Sequence, residues 1–92
     1  MEIHRLRKKP VVVEAARFDG TAVSAAEIAD WCGGRVDVLN GARVIVIETL
    51  EGEMCASSLD WVIKGVAGEF YPVKQSILAD TYEDVCHEPA DL

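Results

Sequence analysis

Long apolar runs are missing from this sequence. The longest, Val11–Val13 and Val44–Ile47, fall far below the ~20 residues that a membrane-spanning helix needs. The opening MEIHRLRKKP is basic but leads into no apolar segment with a small-residue cleavage site, so it does not read as a secretory signal. A cytoplasmic setting without membrane contact is the expectation. Cysteine is sparse too. Cys32, Cys55 and Cys86 cannot all pair and none lies in a CxxC, which argues against a disulfide framework and leaves Cys32 and Cys55 as small buried hydrophobes.

Basic residues are few: nine Lys and Arg against sixteen Asp and Glu, a net charge of −7. Four of the nine sit in residues 1–10, and from Asp80 onward there are five acids and no Lys or Arg. The summed field repels polyanions, so direct binding to DNA or to anionic lipid is not expected. The acidity serves solubility or forms a surface that engages a basic partner in the manner of a nucleic-acid mimic.

Catalytic signatures are equally scarce. The sequence has no phosphate loop, no HExxH and no GxSxG. His4 lies in the basic arm and His87 in the acidic tail, so neither has a third group to orient it as a base. Cys86-His87-Glu88 offers at most three metal ligands on a loose tail, which reads as fortuitous. The expectation is a chain that is not an enzyme and carries no cofactor or metal.

What is present describes one small domain over residues 1–92, with a basic N-terminal arm (1–8) and an acidic, disordered tail (86–92). Residues 10–18, PVVVEAARF, are rich in β-branched side chains and predict a strand, apolar on both faces and therefore central or covered on each side. Ser24-Ala25-Ala26-Glu27 fits a capping box, and Val23 and Ile28 fit its hydrophobic staple. A short amphipathic helix over 25–32 follows, with Ile28, Trp31 and Cys32 on one face, Trp31 as its core anchor and Gly33 ending it.

The period then changes. Asn40-Gly41 between alternating segments predicts a type I′ hairpin that pairs Leu39 with Ala42, Val36 with Ile45 and Val38 with Arg43. Val36, Val38, Ile45 and Ile47 then form an inward face. Val44 and Val46 fall on the other face, where the helix, the first strand or a second copy can cover them. Glu51-Gly52 turns the chain into EMCAS, in a loop slightly longer than a type I′ turn with Gly52 left-handed, and Met54 and Ala56 point inward. After Tyr71, Pro72 marks an edge strand or a strand end, and residues 76–80 form a single helical turn. The fold class is α+β: one short helix packed on a curved, mostly antiparallel sheet, or a small partly open barrel, of about 5–6 strands.

The densest stretch is Ser57 to Tyr82. Asp60 to Lys64 alternates in type, Gly65 and Gly68 bracket a turn, and Glu69-Phe70-Tyr71 returns as a second strand. Ser57, Asp60, Trp61, Lys64, Gly65, Gly68, Glu69, Tyr71, Pro72, Lys74 and Thr81-Tyr82-Glu83 together resemble the PGDYI-type small proteins of phages and prophages. The opening RKKPVVVEAARFDG, WCGG and ETLEG look similar as well, so the resemblance spans most of residues 7–83. It implies a phage or prophage setting and carries no particular activity. Ser58-Leu59 stands where that family has Pro-Gly, and Gln75 where it has a second proline. Because Leu resists the positive φ that Gly takes in a type II turn, this turn is expected to be built differently.

Six residues of this hairpin are the candidate binding residues: Asp60, Trp61, Lys64, Glu69, Tyr71 and Lys74. Lys64 and Glu69 are expected to form an exposed ion pair, and Asp60 to cap the turn at Ser57-Ser58. Tyr71 and Lys74 can present an aromatic and a cation to a partner. Two functions follow. One is an accessory protein that binds a host or phage macromolecule through an acidic, aromatic-bearing surface, as an inhibitor of a host defence or nucleic-acid enzyme would. The alternative is a structural component that self-assembles as a homo-oligomer through Val44 and Val46. A weaker third is a pocket for a nucleotide-like ligand with Lys64 or Lys74 as anion contacts.

Overall fold

A computed structural model describes residues 1–7 and 9–83. The tail and its Cys86-His87-Glu88 triplet lie outside the described residues. The element order is β1 (Glu14–Arg17), α1 (Ala22–Cys32), β2 (Arg35–Leu39), β3 (Ala42–Thr49), β4 (Gly52–Ala56), β5 (Trp61–Lys64), β6 (Phe70–Val73) and α2 (Gln75–Thr81). The α+β class and the six strands stand. The single sheet does not: the strands form two three-stranded antiparallel sheets, β1-β5-β6 and β2-β3-β4, neither closed into a barrel, and among the described residues the helical turn expected at 76–80 is a second helix, α2. No described helix is long and apolar enough to cross a membrane.

The Asn40-Gly41 hairpin forms in the predicted register, with Leu39 opposite Ala42, Val36 opposite Ile45 and Val38 opposite Arg43. Its two turn residues take φ of 51° and 78°, which Asn and Gly tolerate and most residues do not. Ile45, Ile47 and Ala56 point into the core as expected. Val36 and Val38 share their face but are 42% and 65% exposed, because β2 is a sheet edge that overhangs the helix, and Met54 is likewise only partly covered.

The opposite face is covered within the chain. Val44 and Val46 are only 4% and 6% exposed, which leaves little of either side chain for a second copy to contact. They lie on the central strand beside Asp37, Arg35 and Cys55, and an Arg35–Glu53 ion pair of 2.9 Å spans β3 from one neighbour strand to the other. Long side chains on the flanking strands can cover a central-strand valine without a second layer.

Helix α1 starts three residues before the predicted N-terminus. Thr21, not Ser24, is the N-cap, its hydroxyl accepting from the Ser24 amide at 3.2 Å, and Val23 is exposed rather than stapled to Ile28. Asp19 explains the shift: its carboxylate accepts from the Thr21 amide (2.9 Å) and hydroxyl (2.7 Å) and so fixes Thr21 in the capping position. Gly33 ends the helix at φ 70° as predicted. Ala25, Ile28, Ala29 and Cys32 bury the inner face with Phe18, Ile45, Ile47, Ala56 and Val62, while Trp31 packs on the rim, edge-on to Phe70 at 5.0 Å.

Strand β1 is shorter than PVVVEAARF and lies at an edge, not in the centre. Its partner β5 is central, and Val62 and Ile63 are fully buried on its opposite faces. Pro72 sits in the edge strand β6, where its missing N–H costs no ladder bond. The two sheets meet where β6 lies against β3 and β4, and α1 packs across β3, β2 and β5.

Candidate functional site

The turn before β5 departs furthest from the sequence expectation. The Asp60 amide donates to the Ser57 carbonyl at 2.9 Å, closing a β-turn whose third residue is Leu59 at φ 77°. Leu59 therefore does adopt the conformation that a glycine takes in a type II turn. The Leu59 amide donates to Phe18 O (2.7 Å) and the Phe18 amide to Asp60 O (2.9 Å), so two residues oppose one. That is a G1 bulge with leucine in the glycine position. The surrounding bonds hold a residue that prefers another conformation by roughly 1–2 kcal/mol.

Asp60 secures this turn, as its spacing suggested, accepting from the Ser57 amide at 2.9 Å. It is 6% exposed and also accepts from the Lys74 ammonium at 3.2 Å. Half-buried Trp61 donates its indole N–H to the side-chain Oε1 of Gln75, the first residue of α2. Asp60, Trp61 and Lys74 thus tie the start of β5 to the end of β6, and their polar groups face one another rather than a ligand.

Lys64 and Glu69 lie at the other end of the same ribbon. The expected ion pair between them is not among those formed by the described residues. Lys64 sits opposite Phe70, whereas the Glu69 carboxylate folds over Gly65, filling the space a Cβ there would occupy. The Gly65 amide donates to Glu69 O at 2.7 Å, so this tight turn sets the placement of the carboxylate. The six candidate residues therefore do not form one patch.

Glu69 and Tyr71 instead join residues that the sequence reading had not grouped with them. Between β6 and the β3–β4 hairpin runs a groove of about 700 Å³. Leu50, Met54, Phe70, Tyr71 and Pro72 supply its apolar lining; Glu48, Glu51 and Glu69 border it, the Glu48 side chain on the opposite face of the hairpin beside Glu53 and Arg35 and the Glu69 carboxylate folded over Gly65. Leu50 stands fully exposed at the hairpin tip. Thr49 shapes that tip: its hydroxyl donates to Gly52 O (2.7 Å) and accepts from the Glu51 amide (3.1 Å). The loop has two residues, with Gly52 rather than Glu51 at positive φ. Partial burial pushes the Tyr71 phenol above its ordinary ionisation range, reinforced by a hydrogen bond with Tyr82 and by the charge of Glu69. A leucine at a hairpin tip, between Thr49 and Glu51, was the one sequence signal that could have revealed this groove.

A second, smaller concavity of about 360 Å³ lies at the start of α1. Its polar groups satisfy one another: Asp19 accepts from Thr21, Thr21 from the Ser24 amide, and the Ser24 hydroxyl from the Asp19 amide at 3.3 Å. The Thr21 side-chain and amide bonds hold the Asp19 carboxyl below its usual range. Elsewhere, buried Cys32 contacts Ala29 O at 3.8 Å, Cys55 is exposed rather than buried, and His4 pairs with Glu2 at 3.6 Å. Among the described residues no three His, Cys, Asp or Glu side chains are grouped to hold a metal ion. Comparison with known proteins gives no matching family model, curated sequence or solved structure.

Proposed function

We propose that this chain is a non-enzymatic binding protein whose groove between β6 and the β3–β4 hairpin takes a basic, partly apolar segment of a protein partner. One observation carries the proposal: an apolar groove of about 700 Å³ bordered by Glu51 and Glu69, on a chain of net charge −7. Such a surface attracts cations over a distance and rewards apolar contact at close range. The resemblance to PGDYI-type proteins supports a phage setting and a partner of host or phage origin. A nucleic-acid enzyme or defence factor, whose own surface is basic, is the class of partner that fits.

A nucleotide-like ligand is disfavoured. Lys74 is engaged by Asp60 at 3.2 Å, and the groove is acidic where a phosphate would need cations. Self-assembly through Val44 and Val46 is disfavoured by their burial.

The test is a titration of the protein with basic amphipathic, neutral and acidic peptides, followed by backbone amide NMR shifts. The basic peptide is expected to move resonances of residues 48–54 and 68–72, with an affinity that falls as salt rises. Tyr71→Ala and Leu50→Glu should each weaken it by about tenfold. Shifts confined to other surfaces, or equal binding of the acidic peptide, would refute the proposal.

A further inference from the structure

We infer that, with no other partner present, this groove takes the N-terminal arm of a second copy of the chain, an inference that rests on the groove being a binding site. Residues 1–7 and 9–13 form no helix or strand, and the apolar side chains of the arm find no cover among the described residues: Ile3 is 81% and Leu6 91% exposed. Arg5, Arg7 and Lys9 lie among them, in a chain that is otherwise acidic. In an extended chain of about three residues per turn, Ile3 and Leu6 share one side with the arginines flanking it. That pattern is the complement of the groove, which offers Leu50, Met54 and Tyr71 with Glu51 and Glu69 at its border.

The arm and its own groove belong to opposite edges of one sheet. Glu14 is in register with Lys64, and Lys64 with Phe70, so β1 and β6 stand two strand spacings, about 10 Å, apart. Pro10 fixes its own φ and holds Lys9 extended, and Val11-Val12-Val13 are stiff β-branched residues. Residues 9–13 belong to no helix or strand and put up to roughly 16 Å of chain between β1 and the basic segment. The Cα radius of gyration, 15.1 Å, exceeds the roughly 12 Å expected of a compact chain of this length. Arm and groove are different patches, so reciprocal exchange between two copies satisfies both and closes the assembly.

The experiment is light scattering and sedimentation of the full chain across concentration, alone and as two charge-reversed variants. Arg5→Glu/Arg7→Glu alters the arm, and Glu51→Lys/Glu69→Lys the groove; all four sites are exposed, so circular dichroism is expected to be unchanged. The unaltered chain should dimerise with a constant about tenfold weaker at roughly 1 M salt, where screening is nearly complete at 3 Å. Each variant alone should be monomeric. An equimolar mixture should associate again, because the acidic arm then meets the basic groove and the basic arm the acidic one. A chain that stays monomeric at every concentration overturns the inference, as does self-association indifferent to both reversals. A monomeric chain that still binds an unrelated arginine-rich amphipathic peptide at Tyr71 overturns this inference and leaves the groove as a binding site; no binding of either kind overturns both.

Discussion

Lys74 reaches 3.2 Å back to Asp60, joining the residue that caps α2 to the turn that opens β5. The two ends of this pair differ sharply in environment: the Asp60 side chain is 8% exposed and that of Lys74 65%. Removing the carboxylate strands the Ser57 amide as well, so Asp60→Ala should cost about 1–3 kcal/mol. Lys74→Met breaks an ion pair whose cation is solvated and should cost only about 0–1 kcal/mol. Urea denaturation of the two variants checks the asymmetry, and equal losses would contradict it.

Leu59 holds a glycine conformation at φ 77° while 52% exposed, so its side chain offers little packing in return. Leu59→Gly is expected to stabilise the protein by about 1 kcal/mol, a rise in Tm of roughly 4–8 °C. Leu59→Val, β-branched at positive φ, should move Tm the other way. A calorimetric scan of both variants decides the matter.

The Asp19-Gly20 loop packs on this same turn. A Cβ at Gly20 would lie 2.7 Å from the Ser58 hydroxyl oxygen, and Gly20 has φ 89°. Gly20→Ala should therefore cost about 1–3 kcal/mol. Adding Ser58→Gly should recover the part due to the clash and leave the part due to backbone strain, which a double-mutant cycle separates.

Two carboxylates make stability depend on acid. Thr21 holds Asp19 below its ordinary value of 3.8, and the Arg35 hydrogen bond holds Glu53 below 4.5. The folded protein then binds fewer protons than the unfolded chain, so their contribution is complete above those values and is lost as pH falls through the lower folded ones. Urea midpoints at pH 6 and pH 3 should differ less in Asp19→Asn/Glu53→Gln than in the parent. An unchanged difference would assign the acid sensitivity to other groups.

Tyr71 behaves in the opposite sense. Its raised ionisation stabilises the fold below the ordinary phenol value of 10 and withdraws that support as pH climbs through the folded value. Ultraviolet titration of Tyr82→Phe should show Tyr71 ionising earlier than in the parent.

Local chemistry was legible where neighbours in sequence are neighbours in space. The Asn40-Gly41 hairpin, its full register, the end of α1 at Gly33 and the capping of Ser57 by Asp60 all depend on contacts a few residues long. The start of α1 misled because Thr21-Ala-Val-Ser24 and Ser24-Ala-Ala-Glu27 are both plausible caps, and Asp19 selects between them. The division into two sheets, the edge position of β1 and the burial of Val44 and Val46 depend on which strands meet across long separations, which periodicity does not encode. The groove was illegible for the same reason: Leu50 and Tyr71 come from different sheets, and only the docking of β6 on β3 and β4 brings them together.

The pairing of Glu14 with Lys64 has a kinetic corollary. Everything from α1 through β4 is threaded inside the loop that this contact closes, so the β2-β3-β4 meander can assemble from neighbouring segments while β1 must wait for distant β5. Until that clasp shuts, Val62 is missing from the core that α1, Phe18 and the meander share. Nascent chains emerging from the ribosome would pass through this half-built stage before β5 is made.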